Sequence, residues 1–405
     1  RTLGITAQAN APIYSGGRVR NNIHAAKTRV ESGQFSLRGT ELTVFSQVVA
    51  AYMDVIRTSS VVQLSRNNVQ VLDVNLRATR DRFQVGDLTR TDVAQSEARL
   101  AIAQGDLKTA EAQLIGARET YIQVVGHEPT DLQPPPILPG LPQDPEKAVE
   151  IALASNPDLA AARKVREAAH FDTRAAQAAR LPTISTFATG SLQTDLNSTP
   201  GTVQAFQQYP KSVNVGASVT IPLYQGGGPS AQTRRARALE EQAMEQETST
   251  ERSIVAQARS LYSSWQASNQ IISSTQVAVS SASLSLQGVR AENSVGTRTI
   301  LDILNAEQER FNAQVQYVTA QRNAYVAAFS LLAAMGQVSA VELGIAPADV
   351  YDPKDHYEKV HGNLWDWNDG ARPAPVASRT VDSPTQTATV QENEDAVKAI
   401  EPPAR

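Results

Sequence analysis

Pro12-Ile13-Tyr14-Ser15-Gly16-Gly17 and Pro222-Leu223-Tyr224-Gln225-Gly226-Gly227 decide how this chain is read. They stand 210 positions apart. The same offset separates Tyr52 from Tyr262, Arg80 from Arg290, Val85-Gly86 from Val295-Gly296, Asp92 from Asp302, Glu97 from Glu307 and Gly126 from Gly336. No gap is needed between Pro12 and Gly126, so two copies of one unit are expected to have elements of equal length.

Downstream of each Tyr-x-Gly-Gly junction runs a long stretch without proline. In copy one, positions 37, 41, 44, 48, 51, 55, 58, 62, 65, 69, 72, 76, 79 and 83 step by alternating fours and threes. Most are apolar, which is a coiled-coil seam. Copy two repeats it with Ile254, Ala258, Leu261, Trp265, Ile272, Val279, Ala282, Leu286 and Val289. The spacing predicts helices over 18–83 and 228–293, each about 100 Å long at 1.5 Å per residue. Gly86 and Gly296 suit left-handed caps at their ends. Return helices then start near Thr89, Thr91 and Asp92, or near Thr297, Thr299 and Asp302, where hydroxyls and carboxylates favour a helix N-terminus. They run to Gly126 and Gly336. The result is two antiparallel hairpins of unequal arms with tight tips.

Residues 133–143 form a Pro-rich linker. A helix over 144–180 is expected to break at Asn156-Pro157. Residues 183–196 are rich in Thr, Ser and β-branched side chains, and 197–210 read as a loop. Residues 212–224 alternate, with Val213, Val215, Ala217, Val219 and Ile221 on one face and polar or small residues on the other. That is a strand with one apolar side, as a membrane barrel requires. Leu3, Ile5, Ala7 and Ala9 alternate in the same way. By the offset, the counterpart of 144–211 falls before residue 1, so copy one is expected to lack a helix and a strand here. The domain reading is 1–132 as repeat one, 133–143 as linker, 144–344 as repeat two, and 345–405 as a mostly disordered tail rich in Pro, Asp, Glu and Thr.

Composition removes several functions. The chain has 405 residues, no cysteine, 41% hydrophobic residues and a net charge of −4. Thiolate metal sites and disulfides are excluded, and nucleic acid is disfavoured as a partner. No apolar run reaches the length of a spanning helix, so a membrane would have to be crossed by strands. Gly226-Gly227-Gly228 lacks the Lys-Ser/Thr of a phosphate loop and reads as a turn. No Ser/His/Asp spacing suggests catalysis, and neither a metal nor a cofactor is expected.

Together with the repeat and Asn156-Pro157-Asp158-Leu159, the junction Pro222–Gly227 and the segment Val295-Gly296-Thr297-Arg298-Thr299-Ile300-Leu301-Asp302-Ile303-Leu304-Asn305-Ala306 resemble the TolC family of outer-membrane efflux proteins. The likeness spans residues 1 to about 344. It implies a mainly α fold with membrane β: coiled-coil hairpins plus transmembrane strands in a trimeric α/β barrel. It further implies a homotrimer in outer-membrane lipid, with its helical tunnel in the periplasm. The implied partners are a periplasmic adaptor (membrane fusion protein) and an inner-membrane transporter of ABC or RND type. Type I protein secretion and multidrug efflux both remain open.

By the same resemblance Thr91, Asp92, Arg298, Asp302 and Asn305 form the pore constriction and gate, with Arg298 and Asp92 as an interhelical pair. Val85, Gly86, Asp87, Val295, Gly296, Thr297 and Thr299 form adaptor-docking tips. Asn305 stands where many members have a second aspartate, and Asn293 where a tyrosine is common, which implies a less acidic constriction and a looser latch. The competing reading of Asp92 and Asp302 is a carboxylate in a first helical turn. A coiled-coil scaffold without a channel accounts for the heptads but not for the alternating strands.

Overall fold

A computed structural model describes residues 2–130, 132–195, 211–338, 352–360, 362 and 379–390. Its elements in chain order are β1 (Thr2–Ser15), α1 (Arg18–Gln84), α2 (Arg90–Val125), α3 (Pro145–Ser155), α4 (Pro157–Gln177), β2 (Thr183–Asp195), β3 (Lys211–Thr220), α5 (Gly228–Ser294), α6 (Ile300–Ala334) and α7 (Pro353–Val360). The repeat is kept in length as well as in sequence: α1 and α5 have 67 residues each, α2 has 36 and α6 has 35. The chain divides into two units, Arg1–Leu37 with Pro157–Arg252, and Arg38–Asn156 with Ser253–Arg405.

The first unit holds one antiparallel sheet in the order β1-β2-β3. Its register puts Ala7, Gly190 and Val213 in one row and Ala9, Ala188 and Val215 in the next. Apart from Phe187, the large apolar residues of these rows therefore share one face, as period-two alternation requires. That face is uncovered: Leu3 is 57% exposed, Val213 78% and Val215 77%. The other face carries Thr6, Gln8, Ser191, Thr189, Ser212 and Asn214. Its one large apolar side chain is Phe187, whose ring lies over Gly216 on β3 and fills the space a Cβ would take.

The copies differ where β1 and β3 end. Alternation runs to Tyr224 in the sequence, yet β3 stops at Thr220, which pairs with Thr183, the first residue of β2. With no more of β2 to pair with, 221–224 leave the ladder. β1 continues to Ser15 through a bulge between Pro12 and Tyr14, where proline has no N–H to give. Asn10 and Thr220 are equivalent in the repeat, but Asn10 sits opposite Phe187 and Thr220 opposite Thr183. The strands are thus staggered, as they are in a tilted barrel wall. The expected loop at 197–210 lies outside the described residues.

Helices complete this unit. The start of α1 buries Ala25, Thr28 and Ser32, and the Ser32 hydroxyl donates to the Ala161 carbonyl of α4 at 3.1 Å. Lys164 bridges Glu31 at 2.7 Å, and His24 stacks on Phe171. The break at Asn156-Pro157 falls as expected, between α3 and α4.

In the second unit the coiled-coil seam is buried from Ala51 through Val55, Thr58, Val62, Ser65, Leu72 and Leu76 to Thr79. Its polar members hide by bonding to their own helix: Thr58 Oγ1 donates to the Asp54 carbonyl and Thr79 Oγ1 to the Asn75 carbonyl. Nearer the N-terminus the phase slips. Leu42 is buried while Val44, which the heptad count selects, is exposed. An unsupercoiled helix drifts from a strict 3.5-residue repeat, so the seam is handed to a neighbouring stripe.

The α1–α2 hairpin closes around Val55, Val62, Ala110, Leu114 and Tyr121. The α5–α6 hairpin closes around Leu286, Ile300, Ile303 and Ala306. Leu304 joins the hairpins by packing among Leu72, Leu76, Leu100 and Ala103. Arg322 on α6 adds a two-pronged contact to Asp54 on α1, at 3.1 and 2.8 Å. The repeat also positions the linker. Tyr52 donates to the Gln133 carbonyl at 2.6 Å, and its equivalent Tyr262 donates to the Gln143 carbonyl at 2.7 Å. Two tyrosines at the same place in the two copies thus pin both ends of the Pro-rich connection.

Most of the segment read as a disordered tail lies outside the described residues. Within it, α7 is helical, and residues 379–390 include a stretch that packs against α1 and α2. Gly336 caps α6 with φ +69° and lies so close to α3 that a Cβ there would meet the Ser155 carbonyl oxygen at 2.4 Å. Gly336→Ala is expected to destabilise the chain by about 1–3 kcal/mol. Gly33→Ala, on an open face of α1, should stabilise it by about 0.5–1 kcal/mol. Thermal unfolding midpoints of the two variants check the opposite signs.

Candidate functional site at the hairpin tips

The two tips are built alike because the repeat extends through them. In copy one the Gly86 N–H donates to the Phe83 carbonyl and the Asp87 N–H to the Arg82 carbonyl. In copy two Gly296 bonds back to Asn293 and Thr297 to Glu292. Both glycines are left-handed, with φ +82° and +83°. This double closure takes up two carbonyls in the last turn of each of α1 and α5 and turns the chain within a few residues. It leaves Val85 and Val295 at 81% and 74% exposure.

The return helices begin with the same device. Thr89 caps α2 and Thr299 caps α6, each in a reciprocal capping box with the aspartate three residues on. The Asp302 carboxylate accepts the Thr299 N–H at 2.9 Å and its hydroxyl at 2.7 Å, and Asp92 does the same with Thr89. The carboxylate-in-first-turn reading is therefore realised for both. The Thr299 hydroxyl and then its backbone N–H hold the Asp302 carboxyl below the ordinary carboxylate range, with Arg298 adding a smaller pull.

The structure does not bring Arg298 to Asp92. Arg298 donates to Glu292 at 2.7 Å, six residues earlier on its own hairpin, and this raises its pKa. Asp92 is engaged by Thr89. The equivalent of Glu292 in copy one is Arg82, which pairs with Asp87 at 2.7 Å. Each tip thus ties its helix end to its loop by an ion pair, with the polarity reversed between copies. At the 210-residue offset the sequence shows only half of this reversal, Arg82 against Glu292, because their partners Asp87 and Arg298 fall one position apart, opposite Thr297 and Leu88.

Two hydrogen bonds cross between the hairpins here, and both end on asparagine. Arg82 Nη1 donates to Asn293 Oδ1 at 3.4 Å, and Arg99 Nη2 to Asn305 Oδ1 at 2.8 Å. Asn293 also donates to the Arg298 carbonyl at 2.7 Å. Asn305 and Asn293 were singled out by sequence as departures, but their partners Arg82 and Arg99 were not, because a contact across hairpins has no signature in spacing. Thr91 is exposed at the start of α2, and no bond at the tips involves it among those described. One step behind the tips, Arg80–Glu97 at 2.6 Å and Arg290–Glu307 form equivalent rungs across the two hairpins. Glu307 is fully buried and is also held by Arg310 at 3.2 Å, whereas its counterpart Glu97 is exposed.

This geometry can be set beside known proteins. The profile of the family described as "Outer membrane efflux protein" matches residues 1–127 and 148–337. The chain belongs to that family. It is an outer-membrane protein and not an enzyme. It is 36% identical over 359 residues to the outer membrane efflux protein BepC of Brucella suis biovar 1, covering 89% of this chain and 77% of BepC. It is 30% identical over 309 residues to the outer membrane protein TolC of Escherichia coli K12, covering 74% of this chain and 63% of TolC. The chain thus spans under two thirds of TolC's length. A crystal structure of CusC shares its fold with a TM-score of 0.70 at 18% identity, covering 84% of this chain and 83% of that one.

The capping boxes make a pH-dependent expectation. A carboxyl with a depressed folded pKa stabilises above its unfolded pKa, and the effect is lost as pH falls through the folded value. Amide exchange at the start of α6 should therefore stay protected through the ordinary carboxylate range near pH 4 and speed up only below it. Thr299→Val should move that transition to higher pH and weaken the helix start by about 1 kcal/mol. An unchanged transition would show that Thr299 does not set the Asp302 carboxyl.

Proposed function

We propose that this chain is a protomer of a trimeric channel-tunnel that exports molecules across the periplasm and outer membrane. Its strands join those of two further copies in one shared barrel, and its hairpins line the periplasmic duct. The observation that carries this reading is the sheet: one uncovered apolar face, one polar face, and outer edges of β1 and β3 without a partner strand among the described residues. Its strands of 14, 13 and 10 residues are long enough to cross a bilayer, which needs about 9–11 tilted residues. In lipid an open edge is prohibitively costly, and three strands cannot close a barrel alone. Copies arranged about a threefold axis remove both edges at once.

The helices support the same assembly. Val277 and Leu284, one heptad apart on α5, are 64% and 71% exposed, on the side opposite the buried Val279, Ala282 and Leu286. That second apolar face suits another copy of the chain. Val85, Gly86, Asp87, Val295, Gly296, Thr297 and Thr299 form a protruding surface suited to a periplasmic adaptor, with an inner-membrane pump behind it. The pump selects the cargo, so small molecules and secreted proteins are both compatible with this duct.

In this reading Thr91, Asp92, Arg298, Asp302 and Asn305 surround the constriction, and Asp302 contributes one carboxylate per copy. The latch is Arg82–Asn293 with Arg99–Asn305. Each bond contributes about 1 kcal/mol once water competes, which holds a gate without locking it. Purified protein in planar bilayers, with its mass measured in detergent, tests the proposal: trimers with discrete conductance support it, and monomers without conductance overturn it. Arg82→Ala with Arg99→Ala should raise resting conductance several-fold, and more than Arg298→Ser, which leaves both crossing bonds intact. Asp302→Ala should weaken block by multivalent cations, and unchanged block would remove Asp302 from the constriction.

A further inference from the structure

The groove between α1 and α2, well back from the tip, is occupied by the chain's own C-terminal region. Arg118 on α2 donates through Nη1 to the Thr387 carbonyl and through Nη2 to the Thr389 carbonyl at 2.7 Å. Arg66 on α1 donates to the carbonyl between them, that of Ala388, at 3.0 Å. The Gln386 N–H donates to the Glu119 carboxylate at 3.3 Å. Val390 then packs against the cluster formed by Val55, Val62, Leu114 and Tyr121, beside Leu132. A cavity of about 820 Å³ runs alongside, lined by Val55, Gln63, Phe311, Arg118, Pro384 and Val390.

Three successive carbonyls and one N–H are thus read by two arginines and a glutamate. The hydroxyls of Thr387 and Thr389 bond to each other at 3.1 Å, and neither bonds to Arg66, Arg118 or Glu119. Main-chain recognition of this kind gives affinity without a sequence requirement, and a single apolar pocket supplies the register. The cover has a physical consequence for its reader, because burial lowers the pKa of Arg118. The Thr387 and Thr389 carbonyls offset this for Nη1 and Nη2 of Arg118, while its Nε is buried without an acceptor among the described residues.

We propose that this α1–α2 face is an extended-peptide site whose resident occupant is the chain's own segment 386–390, held in cis as a clasp across the first hairpin. The clasp joins both arms of the hairpin and closes an apolar groove that would otherwise meet solvent. The inference does not depend on the channel reading, since it concerns contacts within one copy.

The absence of cysteine makes a direct test clean. In the full chain, Glu119→Cys with Gln386→Cys should react with a short bis-methanethiosulfonate crosslinker to give a link within one copy. A control pairing Glu119→Cys with Val381→Cys should react at least about tenfold more slowly. Adding Arg66→Ala and Arg118→Ala should slow the 119–386 reaction about tenfold, with circular dichroism reporting intact helices. Val390→Asp, which alters neither helix, should slow it as well. Thr387→Val with Thr389→Val should leave the rate within about twofold. Links between copies, a rate equal to the control, indifference to the arginine or Val390 changes, or a large loss with the threonine changes would each overturn the proposal.

Discussion

A helix of 67 residues that buries only a narrow seam depends on partners along its whole length, because helical propensity alone cannot fix its register or its neighbours. Every other feature of this chain follows from meeting that requirement twice. The return helices cover one side of each long helix. Ala103, Ala110, Ala282, Ala306 and Ala313 keep the axes close, and buried Thr58, Ser96 and Thr79 satisfy their hydroxyls locally instead of demanding partners. Small and self-satisfied side chains make a seam that is long and thin, which suits a wall better than a globular core.

Duplication then turns one solution into two that are nearly interchangeable, and function can enter only where they differ. The tips show this most clearly. Their backbone closures are the same in both copies, yet Arg82 in one is matched by Glu292 in the other, and the local ion pairs are reversed. The reversal leaves Arg82 with a spare donor, which reaches Asn293. Glu307 illustrates the same divergence one step away: its counterpart Glu97 is exposed with one arginine, while Glu307 is buried between two. A buried carboxylate flanked by two guanidiniums tolerates displacement poorly, so the second hairpin is anchored behind its tip and linked only lightly at it.

Much of the fold was legible in the sequence because it rests on periodicities and on residues with special backbone roles. The heptads gave the helix limits within a residue or two, Asn156-Pro157 gave the break, and the glycines at 86 and 296 gave the tips. The legible part of the candidate site was its local part. Thr299 with Asp302 is a spacing, and spacing survives in sequence. The pairing of Arg298 with Asp92 did not appear, since Arg298 met a nearer carboxylate on its own hairpin and Asp92 was already committed to Thr89.

Sequence by itself determined the lengths of the long helices, the alternating faces of the strands and the family, since each is set by contacts or conformations a few residues apart, or by a repeat that can be counted. Only the tertiary structure decided where β3 ends, how the seam slips near Leu42, which arginines cross between hairpins and what covers the α1–α2 groove. Those outcomes depend on competition among groups far apart in the chain. Tyr52 and Tyr262 belong to both lists. Their 210-residue offset marked them as equivalent, but only their shared grip on the two ends of the Pro-rich linker shows why the repeat keeps them.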